Sequence, residues 1–159
     1  MAEEKEKNLQ HAQATFQTLC STLDRENWRY EKWDGLRIKL GVQGEDLPME
    51  IVIEVETDRQ LVILLSHLPC VIPEDERLDL GVAITTVNDR LVDGCFDFDL
   101  GTGDIYFRMT NSFKDSELGS DLFMYMLLCA CHTIDDYNDK FLLLSKGLLT
   151  LDKFLESDK

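Results

Sequence analysis

Apolar residues recur along the chain at two different periods, and these periods predict an alternation of helices and strands. Over residues 5–26 the spacings are three and four, which is typical of one buried helix face. The apolar positions of that stripe are Leu9, Ala12, Phe16, Leu19 and Leu23. Strict alternation then predicts strands at 36–42 and 49–56, and a continuous apolar run predicts a central strand at 61–65. The short turns between them indicate an antiparallel meander.

A second helix is predicted to begin at Pro73, because proline and the acids after it suit a first helical turn. It is expected to end before Gly94, where glycine adopts a left-handed backbone at low cost. We assign its buried face to Leu78, Val82, Thr85 and Val92.

A β-hairpin is predicted after this helix. Alternation at 95–100 and 105–110 flanks a turn-forming segment at 101–104. In the strand before the turn, Phe96, Phe98 and Leu100 are predicted to point to one side. If the turn has four residues, Asp97 lies opposite Arg108 and pairs with it.

The last helical region is predicted to be capped by Asp115 or Ser116 and to break at 145–147. Beyond the break a leucine stripe continues at spacings of four, three and four, formed by Leu144, Leu148, Leu151 and Leu155. This stripe packs either within the chain or on a partner, and it is our best candidate for partner binding. Two tryptophans, Trp28 and Trp33, belong either to the core edge or to an interface. The aromatic segment 28–33 is a short strand or an irregular connection.

These elements predict one α+β domain over residues 1–159, with its core at about 5–155 and the order α-β-β-β-α-β-β-α. The charge changes which partners are expected, since 31 acidic residues stand against 16 basic ones, a net charge of −15. Nucleic acid and anionic membranes require Lys and Arg, so neither is expected as a partner. No apolar run reaches the ~18 residues of a membrane span. Five cysteines without a C-x-x-C pair and a charged, non-signal N-terminus predict a cytoplasmic protein with free thiols.

Groups capable of chemistry are few, and a structural role accounts for each of them. Three hairpin acids lack the ligand spacing of a calcium loop, namely Asp97, Asp99 and Asp104. The Cys-Ala-Cys-His run at 129–132 points around a helix rather than at one ion. No triad and no phosphate-binding loop is present in the pattern. We therefore predict no catalytic residue, no metal ligand and no cofactor.

One set of residues around the predicted hairpin carries a family resemblance. It consists of Asn88, Leu91, Gly94-Cys95-Phe96, Asp99, Gly103-Asp104-Ile105 and Arg108. With the closing segment 141–147 and its leucine tail, this pattern resembles the bacterial YbjN family, whose members look like type III secretion chaperones in fold. The resemblance implies a twisted, five-stranded antiparallel sheet flanked by helices, a homodimer, and no catalytic residues. It transfers no binding residue.

Two hypotheses for function follow from these patterns. The first is a non-enzymatic protein-interaction module of YbjN or secretion-chaperone type, which holds a partner or client against the sheet or the helical flank as a homodimer. The alternative is a small-molecule sensor, with a ligand between sheet and helices. A closed apolar pocket with converging polar groups is the feature that favours the sensor.

Overall fold

The structure, a computed structural model, describes residues 1–157 and is built on one antiparallel sheet of six strands. In chain order the strands are β1 (Glu31–Asp34), β2 (Arg37–Gln43), β3 (Pro48–Glu56), β4 (Leu61–Val71), β5 (Cys95–Phe98) and β6 (Asp104–Ser112). Their order across the sheet is β1-β2-β3-β4-β6-β5, so β4 is central and β1 and β5 are the edges. The predicted meander and hairpin are therefore joined through β4 and β6.

Four helices accompany the sheet: α1 (Ala2–Arg25), α2 (Arg77–Arg90), α3 (Ser120–Ser145) and α4 (Leu151–Ser157). The side chains that the strands bury alternate with exposed ones, so they occupy a single face. Ile53, Leu64 and Met109 mark this buried face across three neighbouring strands. The core lies between this face and the helices, and it includes Leu19 of α1 and Phe123 of α3.

The α+β class is confirmed, whereas the predicted count of five strands and the predicted order are not. The additional strand is β1, which pairs with β2 around Lys32 and Ile38. All four of its residues are exposed, so it carries no apolar alternation by which it could be recognised. The predicted break at 145–147 is confirmed, because α3 ends at Ser145 and Gly147 has a φ of 65°, but the segment beyond the break forms a further helix, α4, that the predicted order lacks.

The predicted buried face of α2 was wrong. Leu78 is 80% exposed and Val82 48% exposed, whereas Leu80, Ala83 and Val87 are buried. Apolar residues surround much of this short helix, so periodicity alone does not select a face. The sheet selects it, because Asn88 of α2 hydrogen-bonds to β5 and thereby sets the rotation of the helix.

The hairpin forms with a register different from the predicted one. Phe98 pairs with Ile105 and Asp97 lies opposite Tyr106, so the turn is longer and leaves Leu100 61% exposed. The ion pair with Arg108 forms nevertheless across the diagonal, with 2.6 Å between Nε and the Asp97 carboxylate. The predicted cap at Asp115 or Ser116 was also wrong, because α3 begins after Gly119.

Candidate partner-binding surface

The face of the sheet opposite the core carries a partly exposed apolar patch. The central patch consists of Val52 on β3 and of Ile63 and Leu65 on β4, and none of the three is fully buried. Val52 pairs directly with Leu65 in the sheet register. Since the helices pack on the other face, this patch is bounded only by neighbouring strand residues.

Two cations and two carboxylates surround the central patch. Lys39 on β2 is cross-strand to Val52, and Arg108 on β6 is cross-strand to Leu65. Glu50 and Glu54 flank Val52 along β3. Lys39 binds Glu50 at 2.8 Å, while Arg108 binds Asp97 of the neighbouring strand. We call Lys39, Glu50, Glu54 and Arg108 the charged ring; its formal charges cancel.

One edge of the sheet, β5, is closed by a side chain. The Asn88 amide nitrogen donates to the Phe96 carbonyl at 2.8 Å, and the Phe96 N–H donates to the Asn88 side-chain oxygen at 2.8 Å. Asn88 thus makes the two hydrogen bonds that a further strand would make at this position. With the backbone groups of Phe96 already paired, this four-residue edge is a poor template for another chain.

The turn beside this edge is anchored by one arginine. The Arg77 guanidinium donates to the carbonyls of Ile72, Leu100, Gly101 and Thr102, at 2.9–3.1 Å. A cation in the first turn of α2 opposes the helix dipole, and these carbonyl oxygens offset that cost. The turn can lie this close to the backbone of Ile72 only because residue 103 is a glycine (φ 85°). A Cβ there would lie 2.3 Å from the Ile72 carbonyl oxygen.

The other edge of the sheet, β1, has no such cover. Only β2 pairs with it, with a register irregularity between Lys32 and Asp34. Trp33 is 63% exposed, and the Arg37 guanidinium carbon lies 5.4 Å from the centre of its ring. The Arg37 guanidinium also binds the Asp34 carboxylate at 2.6 Å. The exposed ring therefore has a cation against one of its faces.

The β1 edge is also the site of a local reversal of charge. Between residues 29 and 39 four cations stand against two carboxylates, in a chain whose overall charge is −15. The cations are Arg29, Lys32, Arg37 and Lys39. A shallow groove of about 360 Å³ runs beside Trp33 and is lined also by Glu31, Lys32 and Lys39. This edge thus offers unpaired backbone, an aromatic ring and positive charge together.

The six residues predicted to bind a partner lie in different environments. Leu144 is buried, and Leu151 and Leu155 pack against the core, so most of the leucine stripe is covered within the chain. Leu148 is 72% exposed. Trp28 packs against the core, whereas Trp33 is exposed at the β1 edge. The structure therefore leaves Leu148 and Trp33 accessible and does not bring them together with the other four.

The residues that sequence analysis missed are those whose significance depends on pairing across the sheet. The only sequence signal for the central patch was the continuous apolar run at 61–65, which predicts a central strand. Asn88 entered through the family pattern without an assigned role, and nothing in its local sequence shows that it meets Phe96.

Four of the cysteine side chains lie in environments that lower their reactivity. Burial raises the pKa of the Cys131 thiol to about 11, and burial also raises the pKa of Cys70, Cys20 and Cys95. These thiols are therefore protonated at neutral pH and are poor nucleophiles and metal ligands. Within residues 1–157, no group of three or more His, Cys, Asp or Glu side chains is arranged to hold a metal ion. None of the helices described combines the length and apolar character of a membrane crossing.

An open cleft of about 800 Å³ lies beside the N-terminal half of α1. It extends from Lys7 and His11 to Arg59 in the β3–β4 turn and to Lys114 after β6. Carboxylates line it as well, so its charge is mixed. An open, charged cleft is not the closed apolar pocket on which the sensor hypothesis depends.

Comparison with known proteins identifies the fold. No family model matches the chain, and no curated protein matches it in sequence. Among solved structures, the chain is similar to the crystal structure of YbjN from E. coli, described there as a candidate transcription regulator, with a TM-score of 0.58 and 12% identity. The match covers 77% of this chain and 87% of that chain. The fold is therefore YbjN-like, as the resemblance around the hairpin predicted.

Proposed function

We propose that this chain is a non-enzymatic protein-interaction module that binds an extended, acidic segment of a protein partner along the β1 edge. The carrying observation is the difference between the edges of the sheet: Asn88 pairs the Phe96 backbone of β5, while the outer backbone of β1 is exposed beside Trp33. An added strand gains main-chain hydrogen bonds, and neighbouring side chains select its sequence. Arg29 and Lys32 favour carboxylates in that segment.

Several features support the wider proposal. The YbjN-like fold is compatible with a homodimeric interaction protein, which is the quaternary state that the family resemblance implies. Free cysteines, all five unpaired, support placement in the reducing cytoplasm. With 31 acidic residues against 16 basic ones, direct nucleic-acid binding and membrane binding are not part of the proposal. No cofactor is included.

A peptide-binding measurement tests the β1 proposal. The probe is a fluorescein-labelled, ten-residue peptide of alternating Val and Glu, and binding is followed by fluorescence anisotropy. We expect Trp33→Ala to weaken binding at least tenfold, because it removes the exposed ring. Leu148→Ala is the matched control, since Leu148 is similarly exposed but lies outside the sheet.

Two further peptides separate strand addition from charge attraction. The same peptide with alternate amides N-methylated keeps its charge but cannot pair as a strand, so it should not bind. A Val–Lys peptide can pair but has the wrong charge, so it should bind more weakly. Equal binding of the N-methylated peptide, or of the Trp33→Ala variant, would contradict the proposal. A reproducible small-molecule adduct in native mass spectrometry would favour the sensor alternative.

A further inference from the structure

The open face of the sheet differs from the rest of this molecule in its charge. The chain carries a net charge of −15, so two copies repel each other over most orientations. Around the central patch, however, the two cations and two carboxylates of the charged ring cancel, and only Asp97, the partner of Arg108, adds a further carboxylate. Contact through this face therefore brings two copies together where the local charge is close to zero.

Most of the charged side chains next to the central patch form ion pairs within the chain. Lys39 is paired with Glu50, and Arg108 with Asp97. Glu56, farther along β3, is paired with Arg59 at 3.2 Å. A second copy would not have to neutralise these carboxylates, whereas a strongly charged partner would have to break such pairs. The face is thus suited to a partner that is locally neutral.

The arrangement of the face is close to symmetric about the β3–β4 pair. Lys39 on β2 and Arg108 on β6 flank that pair at equal strand separations on its two sides. A twofold axis along the line between β3 and β4 would place Val52 of one copy on Leu65 of the other. It would also bring Lys39 of one copy opposite Arg108 of the other, and each of these cations is already paired within its own chain, with Glu50 or with Asp97. Isologous dimers use one patch twice in this way.

The area is of the size that a stable dimer needs. Four long strands spaced ~4.8 Å apart, each rising ~3.3 Å per residue over about nine residues, span on the order of 600 Å². A standard interface buries about 800 Å² on each partner. Long side chains at the rim, such as Arg37 and Tyr106, extend the contact beyond the strands themselves.

We infer that the open face, centred on Val52, Ile63 and Leu65, is the surface through which a second copy of this chain docks. The two sheets pack face to face, and the helices of each copy remain outside. This inference rests on the proposed function, because it identifies the surface that makes the interaction module a homodimer. It leaves the β1 edges of both copies at the rim of the assembly, where a partner segment can reach them.

Sedimentation velocity and native mass spectrometry at low micromolar concentration test this surface. We expect a species at twice the 18.3 kDa chain mass for the unmodified protein. Leu65→Glu should weaken self-association at least tenfold, because it places a carboxylate in each copy against the apolar Val52 of the other at the centre of the contact. Leu78→Glu is the matched control: Leu78 is 80% exposed on α2, and its substitution should leave the dimer unchanged.

A second variant keeps the test independent of folding. Thr110 is exposed next to Ile63 and lies at the level of Arg37 across the sheet, so in the twofold arrangement Thr110→Lys sets a cation opposite Arg37 of the other copy without disturbing the core. Far-ultraviolet circular dichroism checks that each variant is folded. A monomeric unmodified protein, or a dimer that survives both variants, would overturn the inference.

The peptide-binding test of the β1 edge and the dimer test of the open face can be distinguished by their results. A monomeric Leu65→Glu protein that still binds the Val–Glu peptide supports both proposals. Loss of the dimer on Trp33→Ala with retention on Leu65→Glu would place the dimer contact at the edge and overturn the inference. Loss of peptide binding alone, with the dimer intact, counts only against the proposed partner segment.

Discussion

The two edges of the sheet are built from strands of equal length and opposite accessibility. Both β1 and β5 have four residues. At β5 the Asn88 side chain pairs with the Phe96 backbone, and Arg77 holds the adjoining turn through four carbonyl oxygens. At β1 every residue is exposed. The side-chain interactions of this edge are the ion pair between Asp34 and Arg37 and the contact of Arg37 with the Trp33 ring.

Because both edge strands are short, this difference shows that a short strand is not by itself a protected sheet edge. Short strands, charged side chains and irregular register all discourage unwanted pairing, and β1 has each of these. What β1 lacks is a group that satisfies its outer backbone, which β5 has in Asn88. Substitutions on the β5 side should therefore affect stability, while those on the β1 side should affect binding.

The largest effect is expected from Arg77→Ala. It removes donors to four carbonyl oxygens at once, and hydrogen bonds to a charged group are individually worth about 1.5–3 kcal/mol. Because the freed carbonyls regain water in part, we expect a loss of about 2–3 kcal/mol in the free energy of unfolding, measured by urea denaturation. Arg29→Ala at the β1 edge is the control and should change stability by less than ~0.5 kcal/mol. Equal effects of the two variants would remove the proposed distinction between the edges.

Two asparagines provide the next comparison. Asn88 makes two hydrogen bonds to Phe96, whereas Asn138 in α3 is 1% exposed and its amide has no partner among the residues described. A buried unpaired amide costs about 1–3 kcal/mol. We therefore expect Asn88→Leu to lower the free energy of unfolding by about 2 kcal/mol and Asn138→Leu to raise it by about 1 kcal/mol. Asn88→Leu should also increase aggregation, seen by light scattering, because it reopens the β5 edge.

The smallest effect concerns acid pH, where the edges should behave alike. Hydrogen bonding from Arg108 lowers the pKa of Asp97, and hydrogen bonding from Arg37 lowers the pKa of Asp34. A carboxyl whose pKa is lower in the folded state stabilises it above the unfolded value, near 3.9, and that stabilisation is lost as the pH falls through the folded pKa. Carboxyl titration by NMR should show Arg108→Ala raising the pKa of Asp97 but not of Asp34, and Arg37→Ala doing the reverse. A common response of both aspartates would indicate a global effect instead.

Some features of the fold were predictable because local sequence determines them. The stripe of α1 was largely correct, with Ala12, Phe16 and Leu19 buried and only Leu9 more than a third exposed. The strands β2 and β3 alternate between apolar and polar residues, and their inner positions are buried. Periodicity succeeds in such elements because one face meets the core and the other meets solvent.

Other features failed where the pattern is ambiguous or absent. The buried face of α2 was misassigned because apolar residues lie on several sides of that helix. The strand β1 went unassigned because none of its residues is buried. The hairpin register differed from the prediction because Asp99 accepts the Gly101 and Thr102 N–H groups and extends the turn. Of the predicted binding residues, periodicity placed the leucines on one stripe, but it does not say which neighbour covers that stripe.

The hydrophobic periods, a property of the chain itself, established an α+β domain in which a helix and three strands are followed by a helix, a hairpin and a further helical region. They follow from burial energetics that act residue by residue along each element. Only the tertiary structure decided which side of the sheet the helices cover, that Asn88 meets Phe96, and that Val52, Leu65 and the cancelling charges meet on one open face. These relations join residues distant in sequence, and register and packing bring them together with no local signal in the chain.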